Sequence, residues 1–180
     1  MEREKNLDKI YEAYFKPVSP GTVNVYKERI DWICKQVSGN SVLDIGCSQG
    51  ITSILLAREA KKVVGIDVEQ KSIEFARDAL LSENDSTQSH VFFECVNLFE
   101  YKPANLFDTV IICEFLEHLA DPVAAIKRAS TFLMPEGRLI CTVPYGINDF
   151  IDHKHTYYQY DIVKQLETCF EITDILLLDS

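Results

Sequence analysis

The sequence predicts an α/β fold: a three-layer sandwich around a mostly parallel sheet. Three observations predict it. From residue 41 onward, short apolar runs alternate with helix-period patterns, and the connections are long enough for parallel crossovers. Residues 107–113, FDTVIIC, form an apolar run suited to a central strand covered on both faces. Residues 42–50, VLDIGCSQG, pass from a buried strand into a glycine-containing turn, and a second short run, KKVVGID, ends in Asp67.

Each element has a local reason. Leu7, Ile10, Tyr11 and Tyr14 recur at three- and four-residue steps and predict a helix over 3–16. Pro17 and Pro20-Gly21 interrupt it. A second helix covers 23–37, and Gly39-Asn40 turns the chain into strand 41–45. Helix 51–60, strand 62–67 and helix 70–82 follow, the last with Ile73, Ala76 and Leu80 on one face. SENDSTQS, 82–89, reads as a polar loop before strand 90–95. After strand 107–113, Asp121-Pro122 starts a helix running to about Leu133, because Asp caps free amides and Pro tolerates the first helical position. Pro135-Glu136-Gly137 turns into strand RLICTV, ended by Pro144. A loop rich in aromatics and histidine, helix 159–168 and strand 170–178 complete the order.

The chain has 180 residues, 47% of them apolar and 26% charged, enough for one domain with a sizeable core. A formal net charge of −10 opposes tight non-specific contact with a phosphate backbone, so no nucleic-acid partner is expected. Cysteines at 34, 47, 95, 113, 141 and 169 show no CxxC pattern. They read as small buried hydrophobes in a reducing compartment rather than a disulfide or zinc framework. The charged start and the absence of an apolar run near 18 residues predict a soluble cytoplasmic protein with no membrane partner.

The motif carries the functional reading. Gly46 falls where the chain turns sharply out of a strand, and a side chain there would obstruct a ligand. Amides at the start of helix 51–60 are free to meet polar ligand atoms. Asp67 stands 21 residues after Gly46 and suits two ribose hydroxyls; it also suits capping of the next helix. A dinucleotide site prefers GxGxxG, whereas the run here is Gly46-Cys47-Ser48-Gln49-Gly50. A nucleoside cofactor without pyrophosphate fits better, and S-adenosylmethionine is one.

Over residues 37–178 the chain resembles the class I S-adenosylmethionine-dependent methyltransferases, in particular the small-molecule and sugar branch. VLDIGCSQG is similar to the family's VLDIGCGxG, VVGIDVE to its second motif, FDTVIICEFLEHLADP to FDxVxxxEVLEHVxDP, and LMPEGRLICTVP to LxPGGxLxxxxP. The resemblance implies a Rossmann-like fold and S-adenosyl-L-methionine as cofactor. It implies that Asp44 positions the methionyl amino group, that Gly46, Cys47 and Ser48 line the cofactor through backbone, and that Gly50 permits close strand–helix approach. Asp67 becomes the ribose ligand and Val68 a neighbour of adenine; Asn97, where the family often has Asp, with Leu98, becomes the adenine-side pair, and Cys113 joins the lining. Ser48 and Glu136 each stand where the family has glycine. The methyltransferase catalytic domain then occupies 39–180, behind an N-terminal helical cap segment, 1–38.

Glu114, Glu117 and His118 share a face if their run is helical, and the distant loop adds Asp152, His153 and His155. His118 and His153 are the candidate catalytic bases, and no metal is expected. The expected reaction is methyl transfer to an oxygen, less readily a nitrogen, of a small-molecule acceptor such as a metabolite or sugar. Two alternatives stand beside it. One is a metal-dependent RNA terminal ribose 2'-O-methyltransferase, because that branch places Glu-x-x-Glu-His plus a later His around a divalent ion, and Glu114, Glu117, His118 and His153 match in outline. The other is a non-catalytic cofactor-binding subunit. Tyr145, Phe150, Tyr157 and Tyr158 form either an aromatic lid or packing for the last helix. Tyr11, Tyr14 and Phe15 either cover the cofactor or pack their own helix. The family's last antiparallel strand is lacking after 170–178, so truncation, or a homodimer or partner covering that sheet edge, is expected.

Overall fold

The computed structural model describes residues 9–21, 23–147 and 150–178. Five strands, β1 (Ser41–Ile45), β2 (Lys62–Asp67), β3 (Val91–Cys95), β4 (Phe107–Cys113) and β5 (Leu133–Thr142), form one sheet in the order β3-β2-β1-β4-β5. All four pairings are parallel. The helices are α1 (Ile10–Phe15), α2 (Val25–Gln36), α3 (Ile51–Arg58), α4 (Gln70–Leu81), α5 (Asp85–Gln88), α6 (Pro122–Ser130) and α7 (Gln159–Leu166). This is the expected Rossmann-like α/β architecture, and among the described residues its sheet is wholly parallel. The strand order reverses between β1 and β4, which opens a crevice outside their carboxyl ends.

Strand alternation divides the core between the two faces. Val42 and Ile111 pack with Ile33, Ile54, Ile73 and Ala76. Leu43, Val110 and Ile112 pack with Ala125, Ile126 and Phe132 on the other side. Consecutive β4 residues are therefore buried on opposite faces, as an unbroken apolar run requires. Each such side chain contributes about 1.5–3 kcal/mol through burial. The α6 start is as expected: Asp121 Oδ1 accepts from the Ala124 amide at 2.9 Å ahead of Pro122.

Several expectations are corrected. No strand forms over 170–178. Its backbone pairs with none of the five strands, and Ile175, Leu176 and Leu177 are about half exposed. Among the described residues of the expected 3–16 helix, Ile10–Phe15 are helical and Lys9 and Lys16 flank them; positions 3–8 lie outside the described residues. The 82–89 loop contains α5, nucleated by Asn84 Oδ1 accepting from the Thr87 amide at 3.0 Å. Strand β5 begins at Leu133 rather than Arg138, because the pairing jumps from Phe107–Leu133 to Thr109–Arg138. Glu136 sits in this irregularity within β5, with φ +63°. Cys47 is buried, but Cys34, Cys95, Cys113 and Cys141 are only partly so and Cys169 is exposed; all six are free thiols. Among the described residues, no helix is long and apolar enough to cross a membrane.

Candidate active site

The carboxyl end of β1 delivers Asp44 into the crevice, 4% exposed. Ser53, in the first turn of α3, donates its hydroxyl to Asp44 Oδ2 at 2.7 Å. Burial raises the Asp44 carboxyl to about 6; Ser53 opposes the rise and the nearby Asp67 charge adds to it. A buried carboxylate beside another carboxylate calls for a cationic partner.

The turn after β1 contains three left-handed residues: Gly46 (φ +72°), Ser48 (φ +45°) and Gly50 (φ +76°). The amides of Gly46 and Cys47 both donate to Ile66 O, at 2.8 and 3.1 Å, and Gly50 donates to Cys47 O at 2.8 Å. The Ser48 amide donates to Asp67 Oδ2 at 2.9 Å. These amides are committed inside the protein, and the Phe115 ring lies against Gly46, where a Cβ would come within 2.6 Å of its Cδ2. Gly50 has a packing reason as well: a Cβ there would lie 2.6 Å from Phe93 Cζ and 2.8 Å from the Ala76 Cβ. Close strand–helix approach is therefore its role in the fold.

Asp67 is held through both oxygens by backbone amides. Its Oδ1 accepts from the amide of Glu69, the N-cap residue of α4, at 2.8 Å. Its Oδ2 pins the turn, and a carboxylate's remaining lone pairs are open to hydroxyl donors. Val68 beside it is 62% exposed. Asn97 Oδ1 takes the Phe99 amide at 2.9 Å, which leaves its second lone pair for another donor. The Leu98 side chain is 4% exposed and belongs to the core, which leaves only its backbone for a ligand. Cys113 ends β4 next to the crevice, and burial pushes its thiol well up, with Asp44 adding to the effect.

The second cluster begins at Glu114, whose left-handed backbone (φ +48°) prevents the helix that would align Glu114, Glu117 and His118. Only a single 3-10 turn forms, over Leu116–His118. Glu114 is turned away from the other two as a result, while Glu117 Oε1 and His118 Nε2 stay 3.8 Å apart. Glu114 is held by Arg29 Nη1 at 2.9 Å and by the Thr142 hydroxyl at 3.0 Å. Glu117 turns inward, 1% exposed, and burial with the Glu114 charge raises its carboxyl to about 8. Its Oε2 has no hydrogen-bond partner.

The loop after β5 folds back onto this turn. The amides of Lys154 and His155 donate to Glu117 O at 2.7 and 3.3 Å. That places the His153 ring 4.8 Å from the His118 ring, edge to face. His118 Nδ1 meets Asp152 O at 3.3 Å; a carbonyl only accepts, so Nδ1 carries the proton and Nε2 is left as an acceptor. His153 is held below the ordinary histidine range by burial, reinforced by His118, and its Nδ1 is buried without a partner. One ligand atom from each of Glu117, His118 and His153 lies within 4.8 Å of the others. His155 is structural, with Nε2 bonded to Leu119 O at 2.9 Å.

Tyr157 is core, 1% exposed, with its hydroxyl donating to Gln165 on α7 at 3.3 Å. Tyr145, Phe150 and Tyr158 are exposed, and the two tyrosine rings meet at 5.7 Å. Ser53, Arg29 and Gln49 escaped the sequence reading. Ser53 left a faint signal, a lone hydroxyl in the apolar run ITSILL. Arg29 left none, since its partner is 85 residues away. A groove of about 430 Å³ lined by Tyr14, Lys27, Leu55 and Arg58 contains none of the motif residues.

Comparison with known proteins agrees with this geometry. Residues 43–139 match the family model described as a methyltransferase domain. The ubiquinone biosynthesis O-methyltransferase of Coxiella burnetii (strain Dugway 5J108-111) is 28% identical over 149 residues, covering 76% of this chain and 62% of the relative. That of Yersinia enterocolitica serotype O:8 / biotype 1B is 30% identical over 131 residues, covering 71% and 52%. The chain thus spans between half and two thirds of the length of these curated relatives. Magnesium protoporphyrin IX methyltransferase from Synechocystis PCC 6803, solved with bound SAM, superposes with a TM-score of 0.66 at 20% identity, covering 89% of this chain and 78% of that one.

Proposed function

Because the chain belongs to the methyltransferase domain family, we propose that it transfers the methyl group of S-adenosylmethionine to an oxygen of a small metabolite or sugar. The observation that carries this reading is Asp44: a buried carboxylate at the end of β1, bonded to Ser53 and paired with no cationic side chain among the described residues. The cofactor's ammonium supplies that cation. Asp67 at the end of β2 takes the ribose hydroxyls on its remaining lone pairs, and Val68 offers an apolar surface to adenine. Gly46, Cys47, Ser48, Leu98 and Cys113 line the cofactor, and Asn97 Oδ1 accepts from the adenine side with its second lone pair. Oxygen is preferred over nitrogen because the curated relatives are named O-methyltransferases.

Bound cofactor supplies an electrophilic sulfonium methyl; the chain's own residues orient, desolvate and deprotonate. A hydroxyl acceptor benefits from a base in reach. His153, neutral at pH 7, presents an unbonded Nδ1 toward the cluster. His118, with Nδ1 engaged by Asp152 O, presents Nε2. Tyr145, Phe150 and Tyr158 form an apolar border for the acceptor. Calorimetry with S-adenosylhomocysteine, followed by labelled-methyl transfer to a panel of hydroxyl acceptors, tests the reading; folded protein that binds no cofactor would sink it.

One observation favours a second reading, in which a divalent cation assists. Glu117 Oε2 and His153 Nδ1 are both buried without partners, and with His118 they form a compact donor set. These three residues would hold the ion, which would lower the acceptor hydroxyl's pKa. Dialysis against a chelator separates the readings: metal-free protein with full activity removes the second.

A further inference from the structure

α1 is held at both ends by residues outside it. At its first turn the Tyr11 amide donates to Gln49 Oε1 at 2.9 Å, while Lys9 at the N-cap position provides no side-chain bond. Gln49 lies between Ser48 and Gly50 in the motif turn and is 1% exposed. A buried side chain of that turn thus reaches back 38 residues to seat a helix. At the far end Asn24 Nδ2 donates to Ala13 O at 3.0 Å, and to Tyr14 O and Lys16 O at 3.4 Å. Asn24 Oδ1 accepts from the Lys27 amide and so caps α2. The Tyr14 hydroxyl donates to Asp31 of α2 at 2.9 Å, and the Tyr11 ring meets Phe75 of α4 at 5.5 Å. Arg29 of α2 then ion-pairs with Glu114 beyond β4.

We propose that the α1–α2 segment is a strap joining the glycine turn to the carboxylate–histidine cluster, with Gln49 and Arg29 as the positioning residues at its two ends. The proposal rests on the reading of that turn as the cofactor's. A helix of six residues has no stability of its own, so the seating of α1 depends on these external bonds. A ligand that stiffens the turn holds Gln49 in place for Tyr11, and through Asn24 and Arg29 it steadies Glu114. Linkage makes the effect reciprocal: loosening α1 weakens cofactor binding.

Hydrogen exchange of residues 10–16, with and without S-adenosylhomocysteine, tests the strap. The ligand is expected to slow α1 exchange about tenfold in the unaltered protein, the scale of one well-placed hydrogen bond. Gln49→Met keeps the volume but removes the acceptor. It should abolish the slowing and raise the S-adenosylhomocysteine Kd about three- to tenfold. Asn24→Ala releases the outer end without touching the turn and should raise Kd in the same direction; it carries the test if Gln49→Met fails to fold. Arg29→Ala should weaken binding alone yet add nothing in the Gln49→Met background, because one strap is cut either way. Binding with α1 exchange unchanged, or additive effects of the two substitutions, would overturn the strap alone. Unaltered protein that binds no S-adenosylhomocysteine would overturn the cofactor reading and the strap with it.

Discussion

Cofactor binding should be linked to a proton at Asp44. Burial holds this carboxyl at about 6 in the ligand-free protein, against an ordinary 3.8. Pairing with the ligand's ammonium requires the ionised form, so the apparent Kd scales as 1 + 10^(pKa − pH). With a pKa of about 6 that factor is about 11 at pH 5, about 2 at pH 6 and about 1.1 at pH 7. Affinity for S-adenosylhomocysteine should therefore fall about tenfold from pH 7 to pH 5, with about half a proton released per ligand at pH 6. Calorimetry in two buffers of different ionisation enthalpy reads both quantities. Ser53 is the internal control. Its hydrogen bond lowers the Asp44 pKa, so Ser53→Ala should move the midpoint of the affinity profile to higher pH. Asp44→Asn should flatten the profile and weaken binding at pH 7 by about ten- to a hundredfold, the loss of one charge-assisted bond. A flat wild-type profile between pH 5 and 7, or an Asp44→Asn protein that keeps the pH dependence, would refute the reasoning. The same shift has a stability sign. The folded-state pKa is raised, so the ligand-free protein holds the extra proton between about pH 4 and 6. Its stability should decline as pH rises through that window and level off above it.

Three further outcomes follow from the geometry. Ser48→Gly relieves a left-handed non-glycine residue, worth about 1–2 kcal/mol less the greater unfolded-state freedom of glycine, so the urea midpoint should rise by about 0.5–1 kcal/mol of stability; a lower midpoint would contradict this. Gly50→Ala places a Cβ against Phe93 and Ala76 at a φ of +76° and should cost about 2–4 kcal/mol by the same titration, with wild-type stability as the contrary result. His153→Gln should lower kcat about a hundredfold or more while leaving the S-adenosylhomocysteine Kd unchanged, and wild-type kcat should fall below the depressed His153 pKa; an unaltered kcat would pass the role of base to His118.

The sheet was legible because its signals are local. β1, β2 and β4 begin and end where the sequence places them, since strands covered on both faces favour apolar side chains at consecutive positions. Asp44 and Asp67 were legible for a related reason: a carboxylate closing such a run stands out against it. What the sequence hid is side-chain reach across the fold. Nothing near Gln49 announces Tyr11, and nothing near Arg29 announces Glu114. Segment 170–178 failed in the opposite way. Its composition favours a strand, but strand formation is a property of a pair, and no described edge pairs with it.

The two departures from the family glycine pattern carry a different lesson. Ser48 and Glu136 look like sites where the backbone has been redirected. Both retain positive φ, +45° and +63°. At Ser48 the surroundings account for it: the Asp67 carboxylate accepts the Ser48 amide, Ile66 O accepts the two preceding amides, and Gly50 closes onto Cys47 O. A residue-level cost of about 1–2 kcal/mol is spread against four hydrogen bonds that only this backbone shape can make. The turn is therefore specified by its neighbours rather than by glycine at position 48. Its departure from the family pattern is then poor support for a degenerate, non-catalytic subunit, because Ser48 holds a positive φ of the kind glycine adopts freely.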